Sequence, residues 1–187
     1  HLNNHKSSGF DLCNGPHCQT YGGANGATDN SDSAVDQTRG IYMTYNGDYA
    51  ETYYFSSDGG ATENCENVFS EAIPYLKGKL DPYEQHVQTK HDSWSFTYTK
   101  EDITNILRLK NYNCGNIVAV TPVYTELGNI YSLAFLDDRG VTWKFSKFEA
   151  STILYSPTYQ KYTYSMRFTV KAAGGETSAI YVNSAAK

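Results

Sequence analysis

The sequence has no apolar run approaching the roughly 18 to 20 residues that a bilayer-spanning helix requires. It has no recognisable leader, because His1-Leu2-Asn3-Asn4-His5-Lys6 offers neither a charged n-region nor an apolar h-region. It lacks an initiator methionine, so its start is read as a processed or trimmed end. On that reading the absent leader is no argument for the cytoplasm. Basic residues are too few for a nucleic-acid partner: 15 Lys and Arg against 20 Asp and Glu give a formal charge of −5, where such a partner asks for a basic stripe. No internal repeat and no low-complexity linker occurs. What is present is a globular composition, 40% hydrophobic and 19% charged over 187 residues, enough for one domain with a real core or one domain plus a subdomain. Seventeen tyrosines stand out. Their apolar bodies and polar tips suit strands and sugar-facing surfaces alike.

Residues 1–40 are rich in Gly, Asn, Asp and Ser, a composition of loops and turns held by something other than a hydrophobic core. From Ile41 the pattern changes. Ile41 to Tyr45, the pair Asn46-Gly47, and Tyr49 to Phe55 read as a hairpin. Ser56-Ser57-Asp58-Gly59-Gly60 reads as a glycine turn whose backbone amides can approach a ligand. A short helix is expected over Glu66–Ala72 and a clear one over Thr99–Lys110, with Thr99 as N-cap and Ile103, Ile106 and Leu107 on one face. Strands are expected at Ile117–Val123, Ile130–Leu136, Thr142–Phe148 and Tyr162–Val170, with a turn at Asp137–Gly140; 80–94 carries too weak a pattern to assign. The fold class is α+β, mostly antiparallel strands with a few short helices. Trp94 and Trp143 lie on apolar stretches and read as core, while His86 and His91 read as solvated surface.

His5, Cys13, His17 and Cys18 fall close together, and the Gly15-Pro16 turn folds the segment so that both sulfurs can face one point. Two thiolates and two imidazoles are the ligand set of a closed tetrahedral zinc site. Zinc would also anchor a segment that lacks an apolar core. A Cys13–Cys18 disulfide with His17 incidental accounts for the same residues, and residue types alone leave the two even. His1 is an alternative fourth ligand to His5. Cys65 and Cys114 are read equally as a disulfide or as buried thiols.

Three ordered motifs resemble the SpoIID/LytB family. They are Phe10-Asp11-Leu12-Cys13 through His17-Cys18-Gln19-x-Tyr21, then Ala34-Val35-Asp36-x-Thr38-Arg39-Gly40, then Tyr54-x-Ser56-Ser57-x-Gly59-Gly60-x-Thr62-Glu63 followed by Tyr75-Leu76. The resemblance is close over residues 5–76 and only in outline beyond them. It implies a peptidoglycan lytic transglycosylase outside the bacterial membrane, at the cell surface or in the wall or forespore interspace. Such an enzyme cleaves MurNAc–GlcNAc bonds to 1,6-anhydro products. One carboxyl group protonates the leaving oxygen and then takes the proton of the C6 hydroxyl; ordinary glycosidases use two. The resemblance also favours zinc over the disulfide. It implies peptidoglycan glycan strands as partner, with a cell-wall amidase or sporulation proteins as further ones, and membrane attachment only through an anchor outside this chain.

Two departures qualify the expectation. The family's acid is a Glu followed by Met-Pro, and its C-terminal motif ends in Met-Ser-Gln; neither occurs in the sequence. The 187 residues are therefore expected to be a fragment of a SpoIID/LytB-like domain. Its expected groove residues are Arg39, Tyr54, Ser56, Ser57, Gly59, Gly60, Thr62 and Glu63. Glu63 is the one in-chain candidate for the acid, with orientation of a neighbour as its main expected job. For Arg39 the competing role is a buried salt bridge. For the 56–63 segment it is a tight turn capped by Thr62. Tyr53 and Tyr54 alternate faces, so one is expected in the core and Tyr54 on the glycan side. Two other functions are a non-catalytic wall-binding module that enhances an amidase and a zinc-stapled surface interaction domain.

Overall fold

The computed structural model describes residues 3–15, 17–18, 20–86, 93–172 and 179–184. They form two compact units, 1–52 and 53–187. His1, Pro16, Gln19 and His91 lie outside the described residues.

The first unit is loops and turns around one helix and one hairpin. Helix α1 (Asp29–Gln37) is a nine-residue element that apolar periodicity does not announce, because no residue of it is buried. It forms on local signals instead. Thr28 accepts from the Ser31 amide while Ser31 returns a hydrogen bond to the Thr28 amide, and Asp29 and Asp32 sit in the first turn, where the helix dipole favours them. The hairpin turns at Asn46-Gly47 as expected. Both residues take positive φ, 52° and 92°, the conformation a type I′ turn demands. Its strands are only two residues each, β1 (Thr44–Tyr45) and β2 (Asp48–Tyr49). The expected return strand to Phe55 stops at Tyr49, and Ile41, Tyr42 and Met43 stay exposed, so no buried face extends the ladder.

The second unit holds the core. Between them, α2 (Cys65–Val68) is one turn, shorter than the expected 66–72 helix. Strand β3 (Ser95–Thr99) leads into α3 (Lys100–Leu109), whose Thr99 and Asp102 exchange hydrogen bonds as a capping box. Strands β4 (Ile117–Tyr124), β5 (Ile130–Asp137) and β6 (Thr142–Ser146) form an antiparallel meander in the order β4-β5-β6. Pro122 is tolerated because β4 is an edge strand of it. The expected strand 142–148 instead ends at Ser146 and gives way to α4 (Phe148–Thr152). A second antiparallel sheet, in the order β3-β8-β7, joins β3 to β7 (Phe168–Ala172) and β8 (Ala179–Ser184). β7 begins six residues later than the expected 162–170 strand, and β3 and β8 were not expected at all.

One core joins these elements. Ile103, Ile106 and Leu107 of α3 meet Leu133 and Phe135 of β5, Phe145 of β6, Phe168 of β7 and Val182 of β8, all nearly solvent-free. Trp94 and Trp143 are half-buried at its margin and not within it. The Trp143 indole donates to Asp137 at 3.1 Å. That buried carboxylate also accepts from the Gly115, Arg139 and Val141 amides and from the Arg139 guanidinium, and so closes the expected 137–140 turn. The α+β reading holds.

Leu133 is fully buried at the centre of the meander, so Leu133→Ala is expected to cost about 2–5 kcal/mol of unfolding free energy. Exposed Ile41→Ala should stay within about 0.5 kcal/mol. Denaturant titration of both variants distinguishes a core in the second unit from one spread over the whole chain.

Candidate functional site

The Cys/His cluster forms within the first unit. Asn3 donates through its amide to Asp11 at 2.9 Å, His5 to the Asp11 carbonyl at 3.2 Å, and Cys18 to the Gly15 carbonyl at 3.2 Å. These turns bring the donor atoms of His5, Cys13, His17 and Cys18 within 4.8 Å of one another. The buried Cys18 sulfur lies 3.4 Å from His5 Nε2 and 3.6 Å from His17 Nδ1. The His5 ring also stacks on Phe10 at 4.9 Å. All four cysteines are free thiols. The Gly15 amide beside the Cys13 sulfur draws its pKa below the ordinary thiol value, outweighing partial desolvation. Zinc bonds of about 2.3 Å to sulfur and about 2.0–2.1 Å to nitrogen set tetrahedral donors roughly 3.3–3.9 Å apart. The donor set fits such an ion by chemistry and by approximate spacing.

The motif from Ser56 to Glu63 belongs to the second unit and is a glycine turn as expected, with Gly59 at φ 72° and Gly60 at φ 98°. Its polar groups, however, are mostly occupied by the turn itself. The Asp58 amide donates to Glu84 Oε2 at 2.9 Å, the Gly59 amide to Ser57 Oγ at 3.3 Å, and the Gly60 amide to Asp58 Oδ1 at 2.7 Å. Ser57 Oγ donates to the other Glu84 oxygen. Thr62 is clamped to Lys79, whose amide donates to its hydroxyl at 2.9 Å while its carbonyl accepts from the Thr62 amide at 2.9 Å. The amides expected to meet a ligand are therefore engaged locally, and Ser56 and Tyr54 remain as the exposed members.

Glu63 is held by four donors. Oε1 accepts from the Asn64 amide at 2.8 Å and Asn67 Nδ2 at 2.9 Å. Oε2 accepts from Thr125 Oγ1 at 2.5 Å and Asn129 Nδ2 at 3.1 Å. Burial raises its pKa, but the hydrogen bonds from Thr125, Asn67, Asn129 and the Asn64 amide outweigh that and leave it below the ordinary value. A carboxylate stabilised as the anion is a poor proton donor. The orienting role fits this geometry and the acid role does not.

A second carboxyl group on the turn behaves in the opposite way. Desolvation, together with a hydrogen bond to Glu84, pushes Asp58 up to about 6. Glu84 is depressed to about 2: its own desolvation is overcome by hydrogen bonds from Asp58, Ser57 and the turn amides. The pair holds one proton, on Asp58. Asp81 completes a group whose oxygens lie within 4.8 Å of one another.

The remaining expectations fall as follows. Arg39 pairs with Asp36 at 2.7 Å on the surface, its side chain 78% exposed, and not in a buried bridge. Tyr53 and Tyr54 are both exposed, so neither serves as core; Tyr53 packs against the Phe69 ring at 5.0 Å. His86 is exposed. Cys65 and Cys114 are buried thiols. Thr125, Asn129, Asp81, Glu84 and Arg167 carry no local sequence signal of a shared site, because their partners lie far along the chain.

The chain belongs to the stage II sporulation protein (SpoIID) family through its N-terminal segment, residues 1–45. Among curated proteins it is similar to the amidase enhancer of Bacillus subtilis, 35% identical over 85 residues, 46% of this chain and 11% of that protein. It is 42% identical over 52 residues to stage II sporulation protein D of B. subtilis, 28% of this chain and 15% of that protein. An uncharacterised protein of Brachyspira hyodysenteriae is 38% identical over 77 residues, 41% of this chain and 21% of that protein. The chain thus matches no more than about a fifth of each of these relatives' length. No helix of the described residues is long and apolar enough to cross a membrane.

Two pH-dependent outcomes follow. Because the folded pKa of Glu63 is depressed, its contribution is complete above the ordinary value near 4.5 and fades as pH falls through the folded value. Glu63→Gln should lower the melting temperature by a few degrees at pH 7, with the gap to wild type closing in acid. For Asp58 the folded pKa is raised, so its ionisation destabilises the fold between about pH 4 and 6. Asp58→Asn should be less sensitive to pH than wild type across that window in thermal melts.

Proposed function

We propose that this chain engages the glycan strands of bacterial peptidoglycan outside the cytoplasmic membrane, as the wall-directed part of a SpoIID-type protein. The observation that carries the reading is the family match over residues 1–45, joined to the identity with an amidase enhancer that extends over 85 residues. The exposed Tyr54 and Ser56 beside the glycine turn supply an aromatic face and a hydroxyl of the kind that sugar rings meet. His5, Cys13, His17 and Cys18 would hold a structural zinc that staples a segment in which Phe10, Leu12 and Tyr21 remain exposed. With four ligands from the chain, such an ion would have no open position for substrate.

Of the two activities in view, binding in support of an amidase fits these residues better than cleavage. Lytic transglycosylation needs a carboxyl group that gives up a proton and takes it back, and Glu63 is held as the anion. The sequence contains no Glu-Met-Pro segment to replace it.

Purified protein is expected to co-sediment with sacculi and release no 1,6-anhydro muropeptides by mass spectrometry. Release of anhydro products that Glu63→Gln abolishes would overturn the binding reading in favour of the lytic one. Failure to sediment with sacculi would overturn both. Elemental analysis should find about one zinc per chain, lost in Cys18→Ser; metal-free protein with no reactive thiol at Cys13 or Cys18 would establish the disulfide instead.

A further inference from the structure

Arg167 stands just before β7, more than a hundred residues from the motif turn, yet its side chain lies on that turn. A Cβ on Gly59 would come within 2.9 Å of the Arg167 Cβ, and one on Gly60 within 3.3 Å of a guanidinium nitrogen. At Gly128 the same test places Nε at 3.7 Å. The turn is glycine at 59 and 60 both because φ is positive there and because Arg167 occupies the space a side chain would need.

The guanidinium has nothing to donate to. Nε is buried without a hydrogen-bond partner, and the side chain forms no ion pair among the described residues. This is costly, since a guanidinium removed from water loses hydration that only an acceptor restores. Three carboxyl groups share the turn, but each is bound locally: Asp58 by the Gly60 amide, Glu84 by Ser57 and the Asp58 amide, and Asp81 by the Tyr83 amide at 2.8 Å. The turn's own amides and hydroxyls are likewise engaged, so Arg167 is the strong donor left to a ligand.

We infer that Arg167 is the anion-receiving residue of the 57–62 turn and takes a carboxylate of the bound ligand. The inference rests on the peptidoglycan reading for its substrate class: stem-peptide carboxylates are the acidic groups that set a muropeptide apart from a neutral N-acetylglucosamine oligomer. A planar fork suits a carboxylate in two parallel hydrogen bonds, which a lysine does not reproduce. Arg167 therefore gives the surface its preference for peptide-bearing strands over bare glycan.

The test is calorimetric binding of two probes to the 187-residue chain: a disaccharide muropeptide with free stem carboxylates, and a neutral chitotetraose. Wild type should prefer the muropeptide. Arg167→Gln should lose about tenfold in affinity for it and leave chitotetraose binding unchanged, with Arg167→Lys between them. An unchanged preference in Arg167→Gln, or equal binding of both probes by wild type, overturns the Arg167 assignment while the glycan reading stands. If wild type binds neither probe, the glycan reading fails. The Arg167 Nε–H resonance of wild-type protein, titrated with N-acetyl-D-alanine, then decides the anion site separately. A saturable shift supports the site, and no shift overturns it. That measurement also decides the matter if Arg167→Gln does not fold.

Discussion

The carboxylate of Glu63 ties the motif segment of the second unit to its core. Two of its four hydrogen bonds stay within the motif, to Asn64 and Asn67; the other two reach Thr125 and Asn129 in the turn that joins β4 to β5. Asn129 is itself buried and spends its amide on the Ala61 and Thr62 carbonyls as well. An irregular segment with almost no regular secondary structure is thereby fixed to the most regular part of the molecule. The constraint has a chemical consequence. A carboxylate that accepts four hydrogen bonds is stable as the anion, so the group that positions the turn is disqualified as a proton donor by the bonds that make it useful.

The turn then divides its charged groups by how they are satisfied. Asp58 and Glu84 share one proton and consume the local amides. Arg167, brought in from the approach to β7, stays unpaired against the glycines. A surface that satisfies its acids internally and leaves its base exposed to a ligand is disposed toward acidic partners, despite the net charge of −5 for the whole chain.

The first unit solves a different problem. It has no buried helix face, and its hairpin is two residues deep on each side. Order there comes from local devices: the Thr28–Ser31 capping box, the Asn46-Gly47 turn, and the convergence of two thiols and two imidazoles. A bound ion at the last would replace the hydrophobic burial that these residues do not supply.

The sequence alone determined those features whose cause is local. Helix α3, its Thr99 cap, the Asn46-Gly47 turn, the positive φ at Gly59 and Gly60, and the β4-β5-β6 meander follow from capping, turn chemistry and apolar alternation within a few residues. The Cys/His cluster and the family motifs were legible for the same reason. Tertiary structure decided what depends on distant partners. It placed β3 beside β8, whose ladder pairs Ser95 with Asn183, and cut the strand expected over 162–170 back to β7. It left Tyr53 exposed and Arg39 on the surface. It set Thr125 and Asn129 on Glu63, and Arg167 on Gly59 and Gly60. Spacing along a chain specifies a helix face or a turn, but the protonation state of Glu63 and the vacancy at Arg167 depend on which groups fold against them.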